Sequence, residues 1–160
     1  MSVAFRRDSD EEVLEPKFEL PIPPGPNLVT ARGLALIEAK LVALEALIAT
    51  SPEESVIADA KRQWRYWSTR RNSAQLAPPP PADAVAFGSR VTFLLNGEER
   101  IVELVGSDEA DPATGKTPFT APLARALIGG EVGETVDFGG RADAITITAI
   151  ARADEVANPT

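Results

Sequence analysis

Residues 30–74 read TARGLALIEAKLVALEALIATSPEESVIADAKRQWRYWSTRRNSA. Leu34, Ile37, Leu41, Leu44 and Ile48 follow steps of three, four, three and four, the spacing of one apolar helix face. Thr30 stands just before the run and can cap the first turn. After Thr50-Ser51-Pro52, a second series of the same spacing runs through Ile57, Ala60, Trp64, Trp67, Arg71 and Ala74. Ser51 suits an N-cap, Pro52 the first helical position, and Glu53 and Glu54 the positive end of the helix dipole. The short connection predicts two antiparallel helices packed face to face, with arms of roughly 20 to 25 residues, about 30 to 37 Å. Trp64 and Trp67 lie on the stripe and are expected in the hairpin core, while Tyr66 lies off it and is expected to be exposed. Lys61, Arg62, Arg65, Arg70 and Arg71 make the second helix basic, either as a solvated face or as a contact for acidic surfaces.

Moving outward, residues 1–27 join an acidic cluster (Asp8, Asp10, Glu11, Glu12, Glu15) to Pro16, Pro21, Pro23, Pro24 and Pro26. Proline fixes φ and removes a donor, so the expectation is a disordered or loosely docked tail. Pro78 to Pro81 read as a stiff linker over 78–83 between a hairpin at 28–77 and a second unit at 84–151. In that unit the period changes. Val91, Phe93 and Leu95 alternate, Asn96-Gly97 offers a hairpin turn, and Arg100 to Val105 returns. Ser107 to Gly115 reads as a loop in which Asp108, Glu109 and Asp111 are solvated acids. Pro122 to Ile128 reads as a short helix ended by Gly129-Gly130, followed by strands near Thr135–Phe138 and Ala144–Ile150. The fold class is therefore α+β, a helical hairpin followed by an antiparallel sheet with a short helix, with 152–160 as a fraying tail.

Composition narrows the chemistry. The chain has 160 residues, 16 Lys+Arg against 24 Asp+Glu, no Cys and no His. Thiol nucleophiles, zinc ribbons, serine triads and imidazole metal sites are excluded, and only carboxylate chemistry is left open. No cofactor and no resident metal are expected. A net charge of −8 disfavours a protein whose task is gripping duplex DNA. Residues 28–82 hold 7 basic and 5 acidic side chains, whereas residues 83–160 hold 6 and 13, so the two units would meet a charged partner differently. No apolar run spans a membrane or forms a signal peptide, and a cytoplasmic location is expected.

Several stretches resemble one family. Val105-Gly106-Ser107-Asp108-Glu109-Ala110-Asp111, Thr120-Ala121-Pro122-Leu123-Ala124-Arg125-Ala126-Leu127-Ile128-Gly129 and Glu131-Val132-Gly133-Glu134 resemble the C-terminal domain of bacterial Gre transcription elongation factors. Val29 to Leu34 resembles the start of that family's hairpin, and Ala86 to Val91 its first C-terminal strand. The resemblance implies an antiparallel coiled coil followed by an FKBP-like α+β domain. It also implies a partner, RNA polymerase, held by the C-terminal domain near the secondary channel while the coiled coil enters that channel. In the family, acids at the hairpin tip help the polymerase's own metal ions cleave backtracked RNA, as a carboxylate pair can hold magnesium and orient a water.

This chain departs from that pattern at the tip. It lacks the family's Asp and Glu three residues apart with the following Asn-Ala-Glu-Tyr, and offers only Glu53, Glu54 and Asp59. A deficit of about ten residues per arm would also withdraw the tip by about 15 Å. The reading is therefore a monomeric, non-enzymatic polymerase-binding regulator, docked through Thr120, Ala121, Pro122, Leu123 and Arg125, that does not stimulate cleavage. It would meet nucleic acid only within the transcription complex. One alternative is a cleavage-competent factor using Glu53, Glu54 and Asp59. A second, suggested only by the implied fold, is a prolyl isomerase, whose site would need an aromatic-lined pocket.

Overall fold

The computed structural model describes residues 19–153. Thr30 opens the first helix as its position in the sequence requires, its hydroxyl accepting from the Gly33 N–H at 2.9 Å. That helix, α1, spans Ala31–Thr50 and buries Gly33, Ile37, Leu41 and Leu44. The second, α2, spans Glu54–Ser73 and lies antiparallel to it. Each arm has 20 residues, about 30 Å at 1.5 Å per residue.

The turn between them is built differently from the sequence expectation. Ser51 ends α1, its N–H donating to the Leu47 carbonyl at 3.0 Å, and Glu53 takes the N-cap position of α2 without a side-chain capping bond. The Ser51 hydroxyl accepts instead from the Glu53 N–H at 3.3 Å. A second difference lies at the root. Strand β1 (Leu28–Val29) pairs in parallel with β2 (Gln75–Leu76), which ties the two ends of the hairpin together. Parallel partners this far apart in sequence leave no local signal.

The C-terminal unit grows from alternation of buried and half-buried residues in β3, Ser89–Leu95. Asn96 and Gly97 adopt φ of +52° and +88°, both left-handed, the pair that a two-residue hairpin turn needs. They lead into β4, Glu98–Val105. Then follow β5 (Lys116–Pro118), α3 (Pro122–Leu127), β6 (Thr135–Phe138) and β7 (Arg141–Arg152). The sheet order is β5-β4-β3-β7-β6. All its pairs are antiparallel except β4–β5, so the sheet is mixed where an antiparallel one was expected. Strand β5 fell in no sequence-predicted element because it is short and ends on Pro118, which an edge tolerates.

Helix α3 closes one face of this sheet through Ala124 and Leu127, packed with Val85, Val91, Phe93, Val102, Leu104, Ile145 and Ile147. Phe93, Leu104, Leu127, Ile145 and Ile147 are fully buried; each contributes about 1.5–3 kcal/mol of transfer free energy. This cluster sits in the C-terminal unit, while Ile37, Leu41, Leu44 and Ala60 are buried in the hairpin.

Both expected boundaries shift. Pro80 is buried, and its carbonyl accepts from Arg152 Nε at 3.0 Å, so the proline run is docked on the domain and is no free spacer. Ala153 is buried and donates its N–H to the Gly88 carbonyl at 3.0 Å, so residues 152 and 153 belong to the fold. The rest of the expected tail, 154–160, lies outside the described residues. So do residues 1–18, whereas 19–27 are held against α2 and end in the buried Asn27.

Candidate functional site

The hairpin is mounted on the C-terminal unit by a cluster of charges that the sequence places far apart. Glu103 on β4 accepts from Arg90 on β3 and from Arg32 on α1, each at 2.9 Å. Glu109 faces Arg32 at 3.2 Å and accepts the Thr30 hydroxyl at 2.5 Å, so one threonine caps α1 and anchors it. Asp108 receives Arg70 Nε at 2.6 Å and the Tyr66 hydroxyl at 2.5 Å. Arg70 also donates to the Asn27 side-chain Oδ1 at 2.8 Å, and Asn27 Nδ2 donates back to the Arg70 backbone carbonyl at 2.7 Å.

Burial explains why these pairs are closed. The side chains of Glu103, Glu109, Asp108 and Arg70 are all less than a tenth exposed, and an unpaired charge there would cost several kcal/mol. Burial pushes the Tyr66 hydroxyl up to about 12, helped by its hydrogen bond to the Asp108 carboxylate and by that carboxylate's charge. Gly106 completes the fit, since a Cβ at this residue would run into the Leu28 carbonyl.

These contacts revise several sequence expectations. Asp108 and Glu109 are joint residues and not solvated loop acids; only Asp111 is exposed, accepting the Ala113 N–H at 3.2 Å. Tyr66 is half-buried and not free at the surface. Arg71, placed on the stripe, is exposed opposite Glu38, while its neighbour Arg70 turns inward. Trp64 and Trp67 are half-buried flanks of the hairpin, not its core. Trp64 Nε1 donates to Glu45 at 3.0 Å, and Trp67 meets Tyr66 edge-on at 5.0 Å.

The basic face of α2 is likewise divided. Lys61 is exposed, Arg62 pairs with Asp59, Arg65 grips Glu19 through two bonds, and Arg70 is committed to the joint.

The hairpin tip presents exposed Glu53 and Glu54. Asp59 stands farther along α2, bonded to Arg62 and to Gln63 at 2.8 Å, so the three acids do not converge. Among the described residues no three acids group closely enough to hold a metal ion. The candidate docking segment occupies the start of α3. Thr120, Pro122 and Arg125 are exposed, Ala121 is the N-cap residue, and Leu123 rests on the core. The segment is thus a rigid outward edge, far in sequence from the hairpin.

Phe93 is buried in the core, Phe138 packs on it, and Phe87 and Phe119 pair edge-on at 5.3 Å. A groove of about 250 Å³ does run between the hairpin root and the C-terminal unit, past Leu76, Pro79, Pro80 and Phe87. It lies at the joint, away from the sheet core, and carries one aromatic side chain. No helix among the described residues is long and apolar enough to cross a membrane.

Fold and site together define a helical hairpin mounted rigidly on a small α+β domain. Residues 80–152 match the family model described as "Transcription elongation factor, GreA/GreB, C-term". The match takes in the C-terminal domain and not the hairpin. It is 51% identical over 57 residues to transcription elongation factor GreA of Lactococcus lactis subsp. cremoris, covering 34% of this chain and 36% of that one. It is 52% identical over 56 residues to GreA of Leuconostoc mesenteroides, covering 34% and 35%. The matched stretch is about a third of these relatives' length. Among solved structures, GreA/GreB from Nitrosomonas europaea overlays 80% of this chain and 99% of its own at 19% identity, with a TM-score of 0.39. Gfh1 of Thermus thermophilus overlays 79% and 99% at 18%, with a TM-score of 0.37.

Proposed function

We propose that this protein is an RNA polymerase-binding regulator of transcription elongation, acting in the cytoplasm, that does not itself catalyse a reaction. The C-terminal domain docks through Thr120 to Arg125, and the hairpin enters the polymerase's secondary channel. The similarity of the C-terminal domain to relatives named transcription elongation factor GreA supports a role in transcription elongation. The carrying observation for the mode of action is the tip. Glu53 and Glu54 stand exposed on a turn about 30 Å from the root, and Asp59 is already bonded within α2. Magnesium needs converging oxygens placed within tenths of an ångström. This tip supports occupancy of the channel without stimulation of transcript cleavage.

The test is displacement of a fluorescent Gre factor from core RNA polymerase, followed by a cleavage assay on backtracked complexes. Competitive displacement with no added cleavage is expected. Stimulated cleavage that disappears on replacing Glu53, Glu54 and Asp59 by alanine would establish the cleavage-competent alternative. Absence of displacement at micromolar protein would overturn the polymerase reading.

A further inference from the structure

Helix α1 is apolar on two sides. One side, with Ile37, Leu41 and Leu44, is buried in the hairpin. The other carries Ala35, Ala39, Val42, Ala46 and Ala49 at steps of four, three, four and three, and all five are exposed. Leu36 and Leu47 widen this face. Val42 is 66% exposed, Leu47 41% and Leu36 36%.

No charge interrupts it, because the four charged side chains of α1 all have partners elsewhere. Arg32 pairs with Glu103 and Glu109 of the C-terminal unit, and Glu38 faces Arg71 at 3.6 Å. Glu45 accepts from Trp64 Nε1 at 3.0 Å, and Lys40 Nζ lies 5.8 Å from the centre of the Trp67 ring. Helix α2, by contrast, exposes Glu54, Lys61, Arg65 and Arg71. A surface helix ordinarily turns its charges to water; the charges of α1 tie the hairpin together and leave a bare apolar face, the mark of a surface that meets another.

An uncharged helix face is matched by another uncharged helix face, and every copy of this chain supplies one. Ala35 and Ala49 each lie seven positions from Val42, so the stripe reads alike from both ends. Laid antiparallel, two copies set Val42 on Val42 of the second copy, Ala35 against its Ala49 and Ala39 beside its Ala46. Alanines let the helix axes approach to about 8 Å. The antiparallel sense also keeps apart the two C-terminal units, each mounted beside Arg32 at the root. Glu38 then nears Glu45 of the second copy, and Arg71 beside Glu38 offsets the like charges.

We propose that two copies of this chain associate reversibly through the outer faces of α1, antiparallel about Val42. The contact is isologous, as two-fold pairs require. A seam of one helix pair falls short of the roughly 1,200 Å² of a stable interface, so the pairing is weak and follows concentration. The monomer expected from the sequence is the dissociated form. Paired hairpins stand four helices wide and cannot enter an opening that admits one hairpin. That consequence rests on the function proposed above; the pairing does not.

Sedimentation equilibrium of the full chain from about 5 to 500 µM tests the pairing. The average mass should climb from 17.0 kDa toward twice that value. Val42→Glu should hold it at the monomer mass without changing the melting temperature, since Val42 is exposed. The chain has no cysteine, so single cysteines report the register. Under mild oxidation Val42→Cys should form a linked dimer. Ala35→Cys and Ala49→Cys should each stay unlinked alone and become linked when mixed. A monomer at every concentration, or a mass increase that survives Val42→Glu, would overturn the pairing, and linking of Ala35→Cys to itself would overturn its antiparallel sense. Should the chain stay monomeric while Val42→Glu weakens binding to core polymerase, the face belongs to polymerase and the second copy is excluded. Self-association without any polymerase binding would sink the functional reading and leave the pairing standing.

Discussion

Arg70 of the hairpin and Asp108 of the C-terminal domain meet at 2.6 Å with only 4% and 7% of their side chains exposed. Removing one charge strands the other out of water. Arg70→Met is expected to destabilise the protein by about 3–5 kcal/mol. The double replacement of Arg70 by Met and Asp108 by Leu should recover most of that loss. Urea denaturation of the two single variants and the double variant measures the coupling; additive losses would mean the pair is not coupled.

Tyr66 is the only tyrosine in the chain, so its ionisation can be followed by absorbance near 295 nm. Its hydroxyl is pushed up from the ordinary 10 to about 12 by burial and by the Asp108 carboxylate. A raised pKa means the folded state favours the protonated form. That stabilisation is complete below pH 10 and is lost as pH rises through about 12. Asp108→Asn should bring the midpoint down toward the ordinary value; an unchanged midpoint would leave burial as the whole cause.

Gly106→Ala should loosen the hairpin root, because the new Cβ collides with the Leu28 carbonyl. A loss of about 1–3 kcal/mol is expected. The local readout is hydrogen exchange at Gln75 and Ala77, whose N–H groups donate to Asn27 and Val29 at 2.8 and 3.1 Å. Faster exchange there, with unchanged protection of Phe93 and Ile147, would locate the damage at the root.

Arg125→Glu, on the exposed edge of α3, should weaken polymerase binding about tenfold, or about 1.4 kcal/mol, without changing thermal stability. Alanine replacement of Glu53, Glu54 and Asp59 should leave affinity within about twofold. Competition binding at a fixed salt concentration checks both, and the reverse pattern would move the main contact to the tip.

Local patterns carried the regular elements. The apolar spacing from Leu34 to Ile48, the Asn96-Gly97 turn and the Pro122 start of α3 are each legible within a few residues. The joint was not, because nothing local distinguishes Arg70 from Arg71. Asp108, 38 residues on, and Asn27, 43 residues back, turn one inward. Asp108 and Glu109 read as loop acids for the same reason: their partners sit on helices, and charge says nothing of burial until the two units meet. The β1–β2 pairing and the seat of Pro80 also depend on distant backbone groups. For the docking segment, Pro122 marked a helix start and the family resemblance suggested the role, while its exposure needed the fold.

Because Leu28–Val29 and Gln75–Leu76 are stitched together, everything from Thr30 to Ala74 leaves and re-enters the molecule at one place. The hairpin is therefore a cassette. A heptad inserted at matching positions in both arms would lengthen it by about 10.5 Å and leave every residue of the joint where it stands. Depth of insertion becomes an adjustable gauge, set by arm length alone. The docking domain and the direction in which the hairpin points would stay constant while that gauge is changed.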